Sequence, residues 1–263
     1  MRFATKLQWI LVGGFCVAIV ASNVARDYFD RPLPLVVFVV LSALNWYVVR
    51  RYAWNWLWRR SFNRLNRALA RDDRPTAERL LQRQAHEATS PAVRAWVAHV
   101  GATLLNQDER WHEAVVALRA IDRDALGARE RIVVDNSLAW ALTHDGALDE
   151  AVALARANVE TVRADAGLDG VRRGACIGTL GVALVRAGDH ASGLALLREA
   201  LAHDGGPRLQ AIRHYYVGEA ERARGHVDAA LAAYAEAARL GPELPFGRRA
   251  AERLKSASPV PYR

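Results

Sequence analysis

Cysteine is nearly absent: Cys16 and Cys176 are the only two in 263 residues. One lies in an apolar run and the other far away in a helical stretch, so the pair makes a poor disulfide and nothing points to an oxidised, stapled fold. Signatures of catalysis are missing too. The chain contains no P-loop, no G-x-G-x-x-G, no H-E-x-x-H and no G-x-S-x-G. His86-Glu87 and His112-Glu113 lack the second histidine that a zinc helix requires, and no two of the eight histidines stand four apart. Cys176, within GACIGTLG, reads as a small core residue and not as a nucleophile. Acid pairs such as Asp149-Glu150 read as helix starts and solvated faces. The sequence therefore offers no catalytic, cofactor-binding or metal-binding residues. Lysine is scarce as well, with only Lys6 and Lys255 among 36 basic residues; together with the abundant alanine this resembles the usage of a GC-rich bacterial genome.

The net charge of +8 is confined to one end. Residues 1–67 hold ten Lys+Arg and two Asp+Glu, whereas residues 68–263 hold 26 of each sign. A nucleic-acid-binding domain carries its own basic face, so no nucleic-acid partner is expected. The basic surplus sits instead beside the apolar runs, where it sets topology and meets anionic lipid heads.

Those runs are 7–25 and 32–49, both free of charge. Each is close to the ~20 residues that span ~30 Å of hydrocarbon as a helix. Arg26, Asp27, Asp30 and Arg31 separate them, and Pro32 and Pro34 suit the start of a second helix. A transmembrane hairpin over 1–50 is the expectation. Basic residues flank both outer ends (Arg2 and Lys6; Arg50, Arg51, Arg59, Arg60, Arg64 and Arg67), which puts both termini and the large domain in the cytoplasm of an inner membrane. Cleavage of 1–25 as a signal peptide would leave the domain on that same side. Gly14, Ala18 and Ser22 form a small-residue stripe for packing within the hairpin or for a homodimer. Residues 51–71 continue as a juxtamembrane aromatic and basic helix. Trp46, Tyr47, Arg50, Arg51, Trp54, Trp58, Arg59 and Arg60 are the expected membrane interface, with Trp54, Trp58, Phe62, Leu65 and Leu69 along one face of the helix.

From about residue 61 onward the pattern is helical, with glycine punctuation and no persistent strand alternation. The last stretch shows a repeat most clearly: Val217-Gly218, Gly225, Ala230, Tyr234, Ala237 and Pro242. Earlier copies read Leu180-Gly181, Gly188, Gly193, Leu197 and Ala200; then Leu138-Ala139, Gly146, Ala151 and Ala155; then Gly101-Ala102, Ala114 and Leu118. A fifth is centred on Ala77 and Leu81. Anchors at 102, 139, 181 and 218 lie 37, 42 and 37 apart, with extra length around Asp165–Arg173. Small residues at Gly181, Gly218, Ala151 and Ala230 permit close helix approach. Leu138, Leu180 and Tyr234 fill the gaps, and Gly146, Gly188 and Gly225 stand where a helix ends and the chain turns with φ > 0. Asp149, Asp189 and Asp228 stand near the next helix start, where short polar caps are favoured.

These offsets resemble the tetratricopeptide repeat (TPR) family. The resemblance covers residues 92–244 and is sharpest in the last repeat. It implies an all-α chain in which the hairpin precedes a right-handed solenoid of four to five helix pairs over 72–244. A capping helix at 245–256 and a disordered tail at 257–263 close the chain. It also implies a concave groove for a peptide or partner helix, lined by Trp96, His99, Thr103, Asn106, Asn136, Trp140, Thr143, Tyr215, Glu219 and Arg222. Some family members grip a C-terminal carboxylate with Lys and Arg at set positions. This chain has His99, Asn136, Gly178 and Tyr215 there, which argues against a chaperone-tail receptor. The expected function is a membrane-anchored scaffold or adaptor for a protein partner, and not an enzyme. A structural subunit that docks through its hairpin is the alternative, with an enzyme on lipid or nucleotide behind it.

Overall fold

The computed structural model describes residues 73–88 and 90–257, together with Ala43, Leu44, Tyr47, Arg64, Leu65, Arg67 and Ala68. Contacts divide the chain into two compact units, 1–83 and 84–263. The described residues from 73 onward form ten α-helices, and none of the described residues lies in a strand. They are α1 Arg74–Glu87, α2 Pro91–Gln107, α3 Trp111–Arg119, α4 Ala128–Asp145 and α5 Leu148–Ala164, followed by α6 Gly170–Arg186, α7 His190–Leu201, α8 Gly206–Ala223, α9 Val227–Leu240 and α10 Pro245–Ala257. Helix α1 begins in the first unit and ends in the second.

Local chemistry marks the helix starts. Ser90 caps α2 by accepting from the Val93 N–H at 3.3 Å, with Pro91 at the first position. Asp169 caps α6 by accepting from the Arg172 N–H at 2.8 Å, and Asp189 caps α7 by accepting from the Ser192 N–H at 3.1 Å. Asp149 and Asp228 do not cap. Ala147 and His226 hold the cap positions, so both acids fall in the first helical turn, where they meet the positive end of the helix dipole.

In the second unit the helices stack as antiparallel pairs, α2/α3, α4/α5, α6/α7 and α8/α9, and each helix also packs on the next in sequence. The first helices of the pairs, α2, α4, α6 and α8, touch one another in succession, and α8 touches α10. Among the described residues the second helices α3, α5, α7 and α9 make no such contacts with one another. The first helices therefore converge on one side of the stack. The turns at Gly146, Gly188 and Gly225 have φ of +97°, +93° and +82°, as the sequence spacing predicts. In the α2/α3 turn the left-handed position falls to Glu109, at φ +61°.

The small positions are used as expected. A Cβ on Gly218 would lie 2.5 Å from the Tyr234 ring, and one on Gly181 would lie 3.1 Å from the Gly193 carbonyl. Ala151, Ala230, Leu138, Leu180 and Tyr234 are all buried. The long 42-residue spacing is taken up by the 17-residue α5 and the loop that follows it.

Among the described residues no helix is long and apolar enough to cross a membrane. The span 7–25, all of 32–49 except Ala43, Leu44 and Tyr47, the Gly14/Ala18/Ser22 stripe, and Trp46, Arg50, Arg51, Trp54, Trp58, Arg59 and Arg60 lie outside the described residues, as does the tail 258–263. Tyr47 is described: it is helical and 56% exposed. The described fold is thus an all-helical stack, with no transmembrane hairpin in it.

Candidate functional site

Small side chains open a cleft where the first helices converge. Ala175 and Gly178 on α6 leave room between α4 and α8, and a cavity of about 210 Å³ results. Thr103 and Asn106 enter it from α2, Asn136 and Trp140 from α4, and Thr179 from α6. Arg208, Ile212 and Arg213 line it from α8, and Leu244-Pro245-Phe246 close one side from the start of α10. The helical register of α2 and α4 thus brings four of the ten expected groove residues to one wall.

Three more of the ten border a second cavity of about 390 Å³: Tyr215, Glu219 and Arg222, beside Trp111, His144 and Arg249. They are committed to internal contacts. Tyr215 is 8% exposed, with its ring 5.5 Å from Phe246 and 5.9 Å from Tyr234. The Glu219 carboxylate accepts from the Tyr234 hydroxyl at 2.6 Å and from Arg253 Nε at 2.9 Å, and Arg222 lies 3.3 Å from it. This cluster binds α9 and α10 to α8.

The remaining three do not line either cavity. The Trp96 and His99 rings sit 4.9 Å apart on α2, and His99 is buried. Ser137 Oγ already donates to the Val133 carbonyl, so the 2.9 Å contact with His99 Nε2 places the ring proton on that nitrogen. Thr143 is a correction to the expected groove. Its exposure is 0% and its hydroxyl donates to the Ala139 carbonyl at 2.7 Å. Seven residues return a helix to almost the same face, which aligned Thr143 with Asn136. At the C-terminal end of α4, however, that face is covered by protein.

Sequence reasoning missed Arg208, Arg213, Ile212 and Phe246. A signal for Arg213 was present. Leu209, Arg213, Tyr216 and Ala220 follow the 4-3-4 spacing of an inward stripe, and an arginine in such a stripe is out of place. Arg213 is 2% exposed. Its Nη1 donates to the His203 carbonyl at 2.9 Å, while Nη2 is buried without a hydrogen-bond partner among the described residues. Desolvation pulls its pKa below the usual guanidinium range. On the opposite wall the Oδ1 atoms of Asn106 and Asn136 are also buried without a donor.

Cys176 is buried, and desolvation pushes its thiol up to about 12. No group of three or more His, Cys, Asp or Glu suited to a metal ion occurs among the described residues.

No family model matches the chain, and no curated protein matches it. Among solved structures it is similar to one described as the crystal structure of BtubC (BKLC) from P. vanneervenii. That likeness has a TM-score of 0.47 and 16% identity over 98% of this chain and 95% of the other.

Proposed function

We propose that this chain is a membrane-anchored scaffold of the tetratricopeptide-repeat type, which binds a protein partner in the cleft between its first helices. The observation that carries the reading is the cleft itself. Its wall mixes an aromatic anchor, Trp140, with two buried polar atoms that have no partner among the described residues, Asn106 Oδ1 and Asn136 Oδ1. Buried polar groups are normally satisfied, and exceptions concentrate where a partner supplies the missing bond. The repeat spacing, the glycine turns and the close Gly218–Tyr234 approach support the family reading. Anchoring rests on the charge-free runs 7–25 and 32–49 and on the basic, aromatic stretch after them.

One experiment addresses both halves. One portion of native membranes is washed with alkaline carbonate, and from a second, unwashed portion the chain is copurified in mild detergent, as wild type and as an Asn106→Ala/Asn136→Ala variant of unchanged helical content. The expected result is a chain that stays in the washed pellet and a partner that the variant loses. Release by carbonate would remove the anchor. A partner retained by the variant would remove the cleft and move the interface to another surface.

A further inference from the structure

Three arginines from three helices line the cavity of about 390 Å³: Arg186 at the end of α6, Arg222 in the last turn of α8 and Arg249 in α10. Solvent reaches all of them. Arg186 is exposed, and the side chains of Arg222 and Arg249 are 54% and 37% exposed. Each also has donors to spare. Arg222 gives Nη2 to Glu219 at 3.3 Å, and Arg249 gives Nη2 to both Glu109 oxygens at 2.6 Å, so most of the five N–H donors of each fork remain. Arg186 has no carboxylate within ion-pairing distance among the described residues. The carboxylate that lines the cavity, Glu219, is already engaged by Arg253 Nε at 2.9 Å and the Tyr234 hydroxyl at 2.6 Å. Among the lining residues and their direct ion-pair partners, four guanidiniums (Arg186, Arg222, Arg249 and Arg253) face two carboxylates (Glu219 and Glu109), a surplus of two positive charges. Helix dipoles do not reverse that sign. The last turns of α4, α6 and α8 meet the starts of α3 and α7 here, so their opposed ends largely cancel. Behind the charges the wall is fixed: the Tyr216 hydroxyl donates to His144 at 3.0 Å, and the half-buried Trp111 ring stacks on His144 at 4.4 Å.

We infer that this cavity binds the phosphomonoester group of a small organic molecule, whose oxygens take N–H donors from Arg186, Arg222 and Arg249 while its organic part lies against Trp111. A phosphomonoester carries a charge of about −1.5 to −2 at neutral pH and three acceptor oxygens, which suit the surplus and the three forks. A carboxylate brings one charge and two oxygens. The volume falls within the roughly 300–1,000 Å³ of small-molecule sites and is too small for a folded partner. The site is independent of the partner-binding cleft. Arg208, which lines that cleft, stands 14 positions before Arg222 on α8, roughly 21 Å along the helix axis.

The test is isothermal titration calorimetry on the full chain in detergent, read against blank detergent, in low and raised salt. The probes are phenyl phosphate, inorganic phosphate, benzoate, benzyl alcohol and dioctanoyl phosphatidic acid. Proteins compared are wild type, Arg186→Gln, Arg186→Gln/Arg222→Gln and Arg208→Gln. Phenyl phosphate should bind roughly ten-fold tighter than benzoate and more tightly than inorganic phosphate, with salt weakening it, and benzyl alcohol should not bind. Arg186→Gln should weaken phenyl phosphate by roughly ten-fold and the double variant by roughly a hundred-fold. Melting temperatures should stay close to wild type, because Arg186 has no ion pair to lose and Glu219 keeps Arg253 and Tyr234. Arg208→Gln removes the same charge at the other end of α8 and should leave binding unchanged. Benzoate binding as tightly as phenyl phosphate would overturn the phosphate assignment. Full affinity in Arg186→Gln, or loss in Arg208→Gln, would overturn the location. Binding of phosphatidic acid alone would overturn the soluble ligand and make it a lipid headgroup, and no heat with any phosphate would overturn the site itself.

Discussion

His99 and His144 are held neutral by their surroundings. His144 stacks against Trp111 at 4.4 Å and lies tilted against Trp140 at 4.2 Å; its Nδ1–H donates to the Trp140 carbonyl at 2.9 Å, and its Nε2 accepts from the Tyr216 hydroxyl at 3.0 Å. For both residues burial, aided by nearby arginines, lowers the pKa to about 4. The unfolded chain takes up these two protons below about 6.5 and the folded chain resists them. The stabilisation is complete above pH 6.5 and is lost as pH falls to about 4, at roughly 3 kcal/mol for each residue. Thermal melts should show a falling Tm across that interval, and a Tm that stays flat between pH 6.5 and 4.5 would contradict this account. Residue by residue, the cleft was partly legible in the sequence. Helix register found Thr103, Asn106, Asn136 and Trp140. It misplaced Thr143 and Tyr215, because period gives the direction of a side chain and not what covers it. Arg213 lay outside it, because no repeat anchor falls on that position.

At the scale of elements, the helix pairs are set by what is absent from their interfaces. A Cβ at Gly218 meets the Tyr234 ring at 2.5 Å, and one at Gly193 meets the Gly181 carbonyl at 2.8 Å. Both obstacles are fixed, since Tyr234 is buried and its hydroxyl is tied to Glu219. Gly218→Ala should therefore force α8 and α9 apart and cost about 1–3 kcal/mol, despite alanine's better helix propensity. Urea titration with far-UV circular dichroism measures it, and an unchanged or raised midpoint would show that the interface can yield. These contacts were legible because a repeat imposes the same small residue at the same offset. The helix starts were less so. Asp189 caps and Asp228 does not, because in both turns the cap position is the residue directly after the turn glycine, which is Asp189 in one and His226 in the other, with Asp228 two residues further on.

For the molecule as a whole, α10 reaches well beyond the pair it follows. Phe246 packs 6.0 Å from the Trp140 ring and 5.6 Å from the Tyr216 ring. Arg249 binds Glu109, 140 positions away in sequence. Ending the chain at Gly241 should therefore destabilise α4 and the α2/α3 turn as well as α9, and hydrogen exchange should speed up there. Faster exchange confined to α8 and α9 would mean that α10 is an ordinary terminal cap.

The Glu109–Arg249 pair has a consequence for how such a chain can change length. An open array of helix pairs tolerates the gain or loss of a unit, because each pair meets only its neighbours. Here a turn near the start of the stack clasps a helix near its end. One inserted pair would carry Arg249 roughly 10 Å or more from Glu109, about the spacing of packed helices. It would also leave Glu109 in a left-handed conformation that no ion pair then compensates. The clasp thus counts the repeats: four pairs close it, and duplication or deletion within the array opens it.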